Sequence, residues 1–242
     1  MISFQKILII IILFSCQPCF AIESVTLAAE NSWPPYSDIN GDGISKTIIQ
    51  TAYQAVNVNV EFITVPYARA LKMTRLGQVD GVFNVTKQKS TVKDFNFGHL
   101  PILQATASFY YHQDSLLNFT SVSEIPKQTS VGVIIGYEYG DDYYMHKSRF
   151  REVKVTNQSQ LIGLLIHKRI DMAIMFDEVA KYKLDEMRLE PNAIQKGAIN
   201  HKSDIYVAFS KLKGTSKAMV LLDDGLMKIK QMKNKQIQAL IP

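Results

Sequence analysis

Short apolar runs alternate with amphipathic stretches over most of this sequence, and one junction between them is especially clear. The apolar run Gly81–Val85 follows a helix-type stretch that ends at Gly77 and a turn through Val79 and Asp80. Glycine tolerates the left-handed backbone conformation at a helix C-terminus. A short apolar run between turn residues is typical of a strand buried in an α/β layer. The pattern therefore predicts a helix–turn–strand unit.

A second unit of this kind is predicted further along the chain. A helix over Ser159–His167 is followed by a turn at Asp171 and by the apolar run Met172–Phe176. In open α/β sheets, ligands bind in the crevice beyond the carboxyl ends of the strands. The polar residues that follow the two strands, Thr86 and Asp177, are therefore expected to face one ligand from two lobes.

The other elements alternate between strand and helix patterns, which predicts layered α/β lobes. Two strands, Gln104–His112 and Ile205–Phe209, lie where the chain would cross between lobes, and a pair of crossing strands predicts a hinge. We expect one lobe from residues 22–108 and 203–242, with residues 109–202 inserted as the second lobe. Further predicted elements are the strands Val25–Ala29, Asn59–Val65, Ser130–Ile135 and Glu152–Val155, and the helices Ser45–Asn57, Pro66–Leu76, Thr215–Lys230 and Gln236–Leu240.

The N-terminal pattern is that of a secretory signal peptide. Lys6 precedes the apolar core Ile7–Phe14, and a small residue, Ala21, follows at the end. The core is far shorter than the ~20 residues that span a bilayer. We therefore predict cleavage after Ala21, a signal peptide of residues 1–21 and a periplasmic location. An alternative is lipoprotein processing with anchoring through Cys16, because Leu13–Cys16 partly resembles a lipobox.

Composition and motif content exclude several functional classes. The chain has 242 residues, is 47% apolar and carries a formal net charge of +5, which is a globular composition. A basic balance can indicate nucleic-acid binding, but an exported protein rarely meets nucleic acid. Both cysteines precede Ala21, the five histidines lack metal-ligand spacing, and no nucleophile-elbow or phosphate-loop motif occurs. We expect a monomer with no transmembrane span, nucleic-acid partner, metal or cofactor.

Candidate binding residues follow several of the predicted strands. Glu30 comes directly after the first strand, and Trp33 and Tyr36 lie on a loop that two prolines stiffen, where their rings can wall a ligand. Asn84 and Val85, with Thr86 after them, lie where the crevice beyond the Gly81–Val85 strand would open.

Three short motifs together resemble a known family. They are G-x-V-D-G from Gly77 to Gly81, T-x-x-basic from Thr86 to Lys89, and F-x-F over Phe95–Phe97. Over nearly the whole mature chain, the sequence resembles the family 3 periplasmic solute-binding proteins, the amino-acid-binding type that serves ABC importers. The resemblance implies an α/β, two-lobed periplasmic-binding-protein fold of type II, with one lobe inserted into the other and hinge strands between them.

The resemblance also implies roles for individual residues. Trp33 matches an aromatic that stacks on the ligand, and Glu30 matches a position that often carries an acid near the ligand's ammonium group. Asp177 resembles an aspartate of lobe two that pairs with this ammonium group. Its distance from Asp171 is one residue longer than in the family, and a shift of one residue in a strand changes the face. Asp177 therefore needs a bulge or a loop to point inward.

Two positions depart from the family pattern. Lys89 stands where an arginine grips the ligand α-carboxylate, and lysine lacks the planar fork of arginine. Either the ligand is not an ordinary α-amino acid, or its carboxylate is held more loosely. Arg69, in the preceding helix, either compensates for this change or is a surface arginine. At Gly136–Tyr137, where backbone N–H groups can meet an anion, the family usually has Gly-Thr, so Tyr137 narrows the pocket or stacks on the ligand.

The resemblance implies a binding protein rather than an enzyme. It would capture a small polar ligand, an amino acid or related carboxylate, and dock to the membrane subunits of an ABC importer. One alternative is a sensory or accessory binding protein whose partner is not a transporter. A second alternative is a cyclohexadienyl-dehydratase-like enzyme on the same fold, for which Glu30 is the obvious acid or base.

Overall fold

The computed structural model describes residues 24–238, with side chains to residue 232, as a mixed α/β fold. The predicted signal peptide and the Cys16 alternative lie outside these residues. No helix among the described residues has the length and apolar character needed to cross a membrane. The strands are β1 (Ser24–Glu30), β2 (Asn59–Val65), β3 (Gly81–Thr86), β4 (Phe95–Phe97), β5 (Leu103–His112), β6 (Ser130–Ile134), β7 (Arg151–Val155), β8 (Met172–Phe176) and β9 (Ile194–Ser210). The helices are α1 (Ile44–Gln54), α2 (Tyr67–Arg75), α3 (Asp141–His146), α4 (Gln158–Ile166), α5 (Asp177–Glu186) and α6 (Ser216–Gln238).

The strands of the described chain form one sheet with the order β2-β1-β3-β9-β5-β8-β6-β7, and β4 pairs with β9. Two parallel units, β2-β1-β3 and β8-β6-β7, flank the long antiparallel pair β9 and β5. We call the first unit, with α1, α2 and α6, lobe one, and the second, with α3, α4 and α5, lobe two. Within the sheet the lobes are joined through β5 and β9, which are therefore the hinge strands.

The hinge strand β9 is much longer than predicted. It has 17 residues, whereas the apolar pattern predicts only Ile205–Phe209. The first half of β9 is mostly polar and partly exposed, so it lacks the apolar run that reveals a buried strand. Backbone pairing with β5 holds this half instead, and the register extends from Leu103 opposite Ile205 to His112 opposite Ile194.

An aspartate in the turn attaches each helix–turn–strand unit to the next strand of its lobe. Asp80 Oδ2 accepts a hydrogen bond from Thr26 N at 2.8 Å, and Asp80 N donates to Thr26 O at 2.9 Å. In lobe two, Asp171 Oδ2 accepts from Ser130 N at 2.7 Å, and Asp171 N donates to Ser130 O at 3.1 Å. These reciprocal bonds satisfy backbone groups where the strands begin, so the two lobes use the same device at the same place.

Two helix predictions were wrong in detail. α6 is unbroken, whereas the sequence pattern predicts two helices separated by residues 231–235. That interval contains no glycine or proline to end a helix. α1 begins at Ile44 with Gly43 as its N-cap, and Ser45, the predicted cap, is buried inside the first turn.

α6 packs closely against α1 through Gly225. A Cβ atom on Gly225 would lie 2.1 Å from the carbonyl oxygen of Ala52 and 2.6 Å from its carbonyl carbon. In the same contact, Tyr53 Oη donates a hydrogen bond to Ala218 O at 3.0 Å. The distance between the two helices therefore requires glycine at position 225.

Gly225→Ala is expected to lower the free energy of unfolding by about 1–3 kcal/mol, because the added methyl group overpacks the contact with α1. This loss should outweigh the gain of about 1 kcal/mol in helix propensity. Urea unfolding followed by circular dichroism measures the change. The matched control is Gly163→Ala in α4, where a Cβ would meet no atom within 4 Å. The control should stabilise the protein, and equal effects of the two substitutions would contradict the close packing at Gly225.

Candidate functional site

The carboxyl ends of two pairs of parallel strands, β1 and β3 in lobe one and β6 and β8 in lobe two, meet around a small cavity. This is the location at which open α/β sheets bind ligands. The free volume of the cavity is about 10 Å³, which is room for about one water molecule. We call it the Glu30 cavity. Its lining residues are Glu30, Trp33, Tyr67, Asn84 and Thr86 from lobe one, and Tyr137, Glu138 and Phe176 from lobe two.

Glu30 is the last residue of β1, and its side chain is only 1% exposed. Tyr137 Oη, from the other lobe, donates a hydrogen bond to Glu30 Oε2 at 2.7 Å. Burial raises the pKa of Glu30 from 4.5 to about 8, although the Tyr137 hydroxyl and the Asn84 amide each lower it. The Glu30 carboxyl group is therefore largely protonated at neutral pH, and its hydrogen bond to Tyr137 joins the two lobes.

Aromatic rings form most of the cavity wall. The Trp33 ring is tilted against the Tyr36 ring with centroids 4.4 Å apart, and it meets the Phe176 ring of lobe two edge-on at 5.0 Å. Tyr67 and Tyr137 form another edge-on pair at 5.1 Å. The pairs Trp33–Phe176 and Tyr67–Tyr137 each join a ring of lobe one to a ring of lobe two. The rings therefore exclude water from the carboxyl group of Glu30.

An irregularity in β3 turns Asn84 toward the cavity. Its backbone has φ +66°, and the pairing of β3 with β9 shifts register between Val82 and Val85. Asn84 Oδ1 and Thr86 Oγ1 are both buried without a hydrogen-bond partner, whereas the Asn84 amide also acts on Glu30 and lowers its pKa. Val85 packs with Val82 in the core and does not line the cavity. Asn84 and Thr86, two residues apart, therefore line the cavity together. The bulge lets Val82 and Val85, three residues apart, share one core cluster.

Several residues predicted from the sequence lie outside the cavity. Lys89 and Arg69 are exposed and do not line it. Asp177, the first residue of α5, instead accepts hydrogen bonds from Tyr110 Oη at 3.0 Å and from Lys196 Nζ at 2.7 Å. The structure therefore places Lys89, the expected carboxylate grip, and Asp177, the expected ammonium partner of lobe two, outside the Glu30 cavity, whereas Glu30 lines it.

Gly136 and Tyr36 lie beside the cavity rather than in its lining. Gly136 has φ +87°, and a Cβ atom there would lie 3.6 Å from Ala68 Cα of α2, so this glycine marks a close approach of the two lobes. Burial, followed by the charges of Glu178 and Asp177, raises the pKa of Tyr36. Tyr36 therefore packs behind Trp33 and faces the start of α5.

Three lining residues were not predicted, namely Tyr67, Glu138 and Phe176. Phe176 is the last residue of β8, and it occupies the inward position that the sequence pattern assigns to Asp177. Glu138 follows Tyr137, and Gln88 Nε2 donates a hydrogen bond to it across the cleft. Burial raises the pKa of Glu138, while hydrogen bonds from Ser90 and Gln88 lower it. One sequence feature could have pointed to Tyr67 as a lining residue: it directly follows a proline at which a helix is predicted to begin.

The cavity offers hydrogen-bonding groups and acidic groups but no metal cluster. Among the residues that the structure describes, no group of three or more histidine, cysteine, aspartate or glutamate side chains could hold a metal ion. The polar lining consists of two carboxyl groups, an amide, hydroxyl groups and an indole N–H. Such a set can bind a small polar molecule by hydrogen bonds and charge.

Comparison with known proteins identifies the fold. No protein-family model and no curated protein matches the sequence. An ancestral arginine-binding protein bound to arginine matches with a TM-score of 0.71 and 18% identity over 86% of this chain and 92% of that chain. An amino acid ABC transporter substrate-binding protein from Streptococcus pneumoniae, bound to L-arginine, has a TM-score of 0.69 and 18% identity over 87% of this chain and 90% of its own.

A histidine kinase sensor domain with similarity to periplasmic binding proteins matches as well. Its TM-score is 0.71 at 15% identity, over 89% of this chain and 94% of that domain. At such identities the likeness concerns the fold. The predicted fold class, an α/β two-lobed fold like that of periplasmic binding proteins, is thereby confirmed.

The raised pKa of Glu30 predicts how stability depends on pH. Between the unfolded value of 4.5 and the folded value of about 8, the native protein holds a proton that the unfolded chain has lost. The stabilisation linked to this proton is complete below about pH 4.5 and is lost as the pH rises through about 8. Relative to Glu30→Gln, which cannot ionise, the wild type should lose at most about 1.4 kcal/mol of unfolding free energy per pH unit.

Urea unfolding of the wild type and Glu30→Gln at several pH values from 5 to 9 tests this prediction. Tyr137→Phe is an informative second variant, because the Tyr137 hydroxyl lowers the pKa of Glu30. Its removal should extend the loss of stability to higher pH. A difference between wild type and Glu30→Gln that stays constant over this range would contradict the burial of an ionisable Glu30.

Proposed function

We propose that this protein is a periplasmic solute-binding protein of the family 3 type, which captures a small polar ligand in the Glu30 cavity by closing its two lobes. The observation that carries the proposal is a set of buried polar atoms without hydrogen-bond partners. They are Trp33 Nε1, Asn84 Oδ1 and Thr86 Oγ1. A buried polar group left unpaired costs about 1–3 kcal/mol, and native proteins contain few of them.

These atoms belong to residues around one cavity, at the strand ends where this class of sheet binds ligands. A ligand that donates and accepts hydrogen bonds there would satisfy all of them together. A purely structural role does not account for them, since an apolar side chain of similar shape would avoid the desolvation cost. The unpaired atoms therefore support recognition of a polar molecule.

Lobe closure is the second element of the proposal. The lobes meet across the cavity through Glu30 and Tyr137, through the edge-on ring contact of Trp33, and through Gln88 and Glu138. These contacts are polar or aromatic, so water can replace many of them when the cleft opens. Because the cavity has room for about one water molecule, a ligand must be admitted by an opening about β5 and β9.

We propose that the mature chain is a periplasmic monomer, with lobe one formed by residues 22–108 and 203–242 and lobe two by residues 109–202. The two alternative partners to distinguish are an importer and a sensor. The proteins of similar fold include an ABC transporter substrate-binding protein and a histidine kinase sensor domain. The resemblance of the sequence motifs to family 3 favours an ABC importer. Loss of ligand uptake after deletion of the gene would support import, whereas intact uptake would favour sensing.

The dehydratase alternative has one observation in its favour. Burial raises the pKa of Glu30 to about 8, so the side chain is a protonated acid at neutral pH, as general acid catalysis requires. We nevertheless favour binding and expect prephenate and arogenate to remain unchanged after incubation with the protein at pH 7. Conversion that is lost in Glu30→Gln would replace the proposed binding function with catalysis.

Thr86→Val tests the role of the unpaired hydroxyl directly. Thermal-shift screening of the mature protein with amino acids, amines, organic acids and sugars first identifies a ligand, which stabilises by about 2.7 kcal/mol at a hundredfold excess over Kd. Thr86→Val removes an unpaired buried group, so the free protein should become more stable by about 1 kcal/mol. The affinity for the ligand should fall about tenfold in calorimetry, because one hydrogen bond to it is lost.

The matched control is Thr91→Val. The Thr91 hydroxyl is also buried, but it donates to the carbonyl oxygens of Thr86 and Gln88 and accepts from Gln88 N. Its loss should destabilise the free protein by about 1–3 kcal/mol. If Thr86→Val destabilises the free protein as Thr91→Val does, or leaves ligand affinity unchanged, Thr86 does not serve ligand recognition.

A further inference from the structure

We infer that the ligand of the Glu30 cavity is a small organic cation, held by an ammonium or guanidinium group and needing no carboxylate. The inference rests on the proposed binding function and names the substrate class of that same site. It departs from the expectation of an amino acid gripped by its α-carboxylate.

The charged groups of the cavity point to a cation. Two carboxyl groups line it, those of Glu30 and Glu138, one from each lobe. No lysine, arginine or histidine is among the lining residues that the structure describes. A carboxylate bound there would face two acidic groups, while Lys147, whose charge lowers the pKa of Glu138, lies outside the lining. A cation would be attracted by both, and its charge would favour the ionised form of Glu30.

The aromatic lining points to the same class. Four rings surround the cavity, those of Trp33, Tyr67, Tyr137 and Phe176. Tyr67 and Tyr137 meet edge-on at an interplanar angle of 84°, and Trp33 and Phe176 do so at 85°. In each edge-on pair, the edge of one ring points at the face of the other, so the faces of the first ring do not contact its partner. Aromatic faces attract ammonium and guanidinium groups, most strongly when water is excluded.

The basic residues that would anchor a carboxylate lie elsewhere. Lys89 and Arg69 are exposed and outside the lining. Lys87 is exposed as well, with its Nζ 5.5 Å from the centroid of the Tyr206 ring and 6.0 Å from that of Phe97. None of these three positive charges is presented to the ligand in the closed arrangement of the lobes.

The position of a cation follows from the hydrogen bonds now present. The Tyr137 hydroxyl donates to Glu30 Oε2, which is the contact that a ligand N–H group would make. Asn84 Oδ1 and Thr86 Oγ1 are further acceptors without partners. The cavity has room for about one water molecule, so the amine enters only when the cleft opens. When the cleft closes again, the amine takes the place of the Tyr137 hydroxyl on Glu30.

Pairs of ligands that differ only in the carboxylate group test this inference. Isothermal titration calorimetry of the mature protein compares arginine with agmatine and ornithine with putrescine, and includes glutamate as an anion. We expect agmatine or putrescine to bind at least as tightly as the matching amino acid, and glutamate not to bind. Glu30→Gln should weaken amine binding at least tenfold, with its melting curve as the check that it folds. Lys89→Ala should leave the affinity unchanged.

The outcomes separate this inference from the proposed function. An amino acid that binds more than tenfold tighter than its decarboxylated partner, or an affinity lost in Lys89→Ala, overturns the inference and leaves the binding function standing. Binding of neutral or anionic solutes alone has the same meaning. If neither these compounds nor the wider thermal-shift panel bind, both the inference and the proposed function are rejected. Amine binding that survives in both Glu30→Gln and Glu138→Gln also overturns the inference.

Discussion

The burial of one carboxyl group governs the arrangement of the cleft. Strand β1 carries Glu30 to the carboxyl edge of the sheet, where its side chain is almost completely removed from water. A carboxyl group in such surroundings stays protonated or requires polar partners. Tyr137 of lobe two supplies the hydrogen-bonding hydroxyl. The contact between the lobes therefore includes a group that lobe one alone leaves incompletely satisfied.

Much of the fold follows from apolar patterning, because most strands are buried and most helices are amphipathic. The structure has β2 over Asn59–Val65 and β8 over Met172–Phe176, as the sequence predicts. The first half of β9 escapes such reasoning, because its pairing with β5 rather than side-chain burial makes it a strand. The division of α6 into two helices was wrong for a different reason, since residues 231–235 contain no helix-breaking residue.

The site was less predictable than the fold, because spacing locates the end of a strand but not the direction of each side chain. Glu30 and Trp33 follow from their place after β1, and both line the cavity. At the end of β8, however, Phe176 faces inward while Asp177 pairs with Lys196. Motif resemblance pointed to Lys89 through a family role, and the structure places that residue on the surface.

The paired use of Asp80 and Asp171 has a mechanical consequence. Each aspartate ties the start of one strand to another strand of its own lobe, by a side-chain bond and a backbone bond to the same residue. Neither attachment crosses the cleft, so neither needs to break when the cleft opens. In the proposed opening of the cleft, each lobe would keep these attachments, and the bending would fall on the two strands that join the lobes. The rigidity of the lobes and the flexibility of the hinge strands are thus separate properties of this chain, and separate mutations can change them.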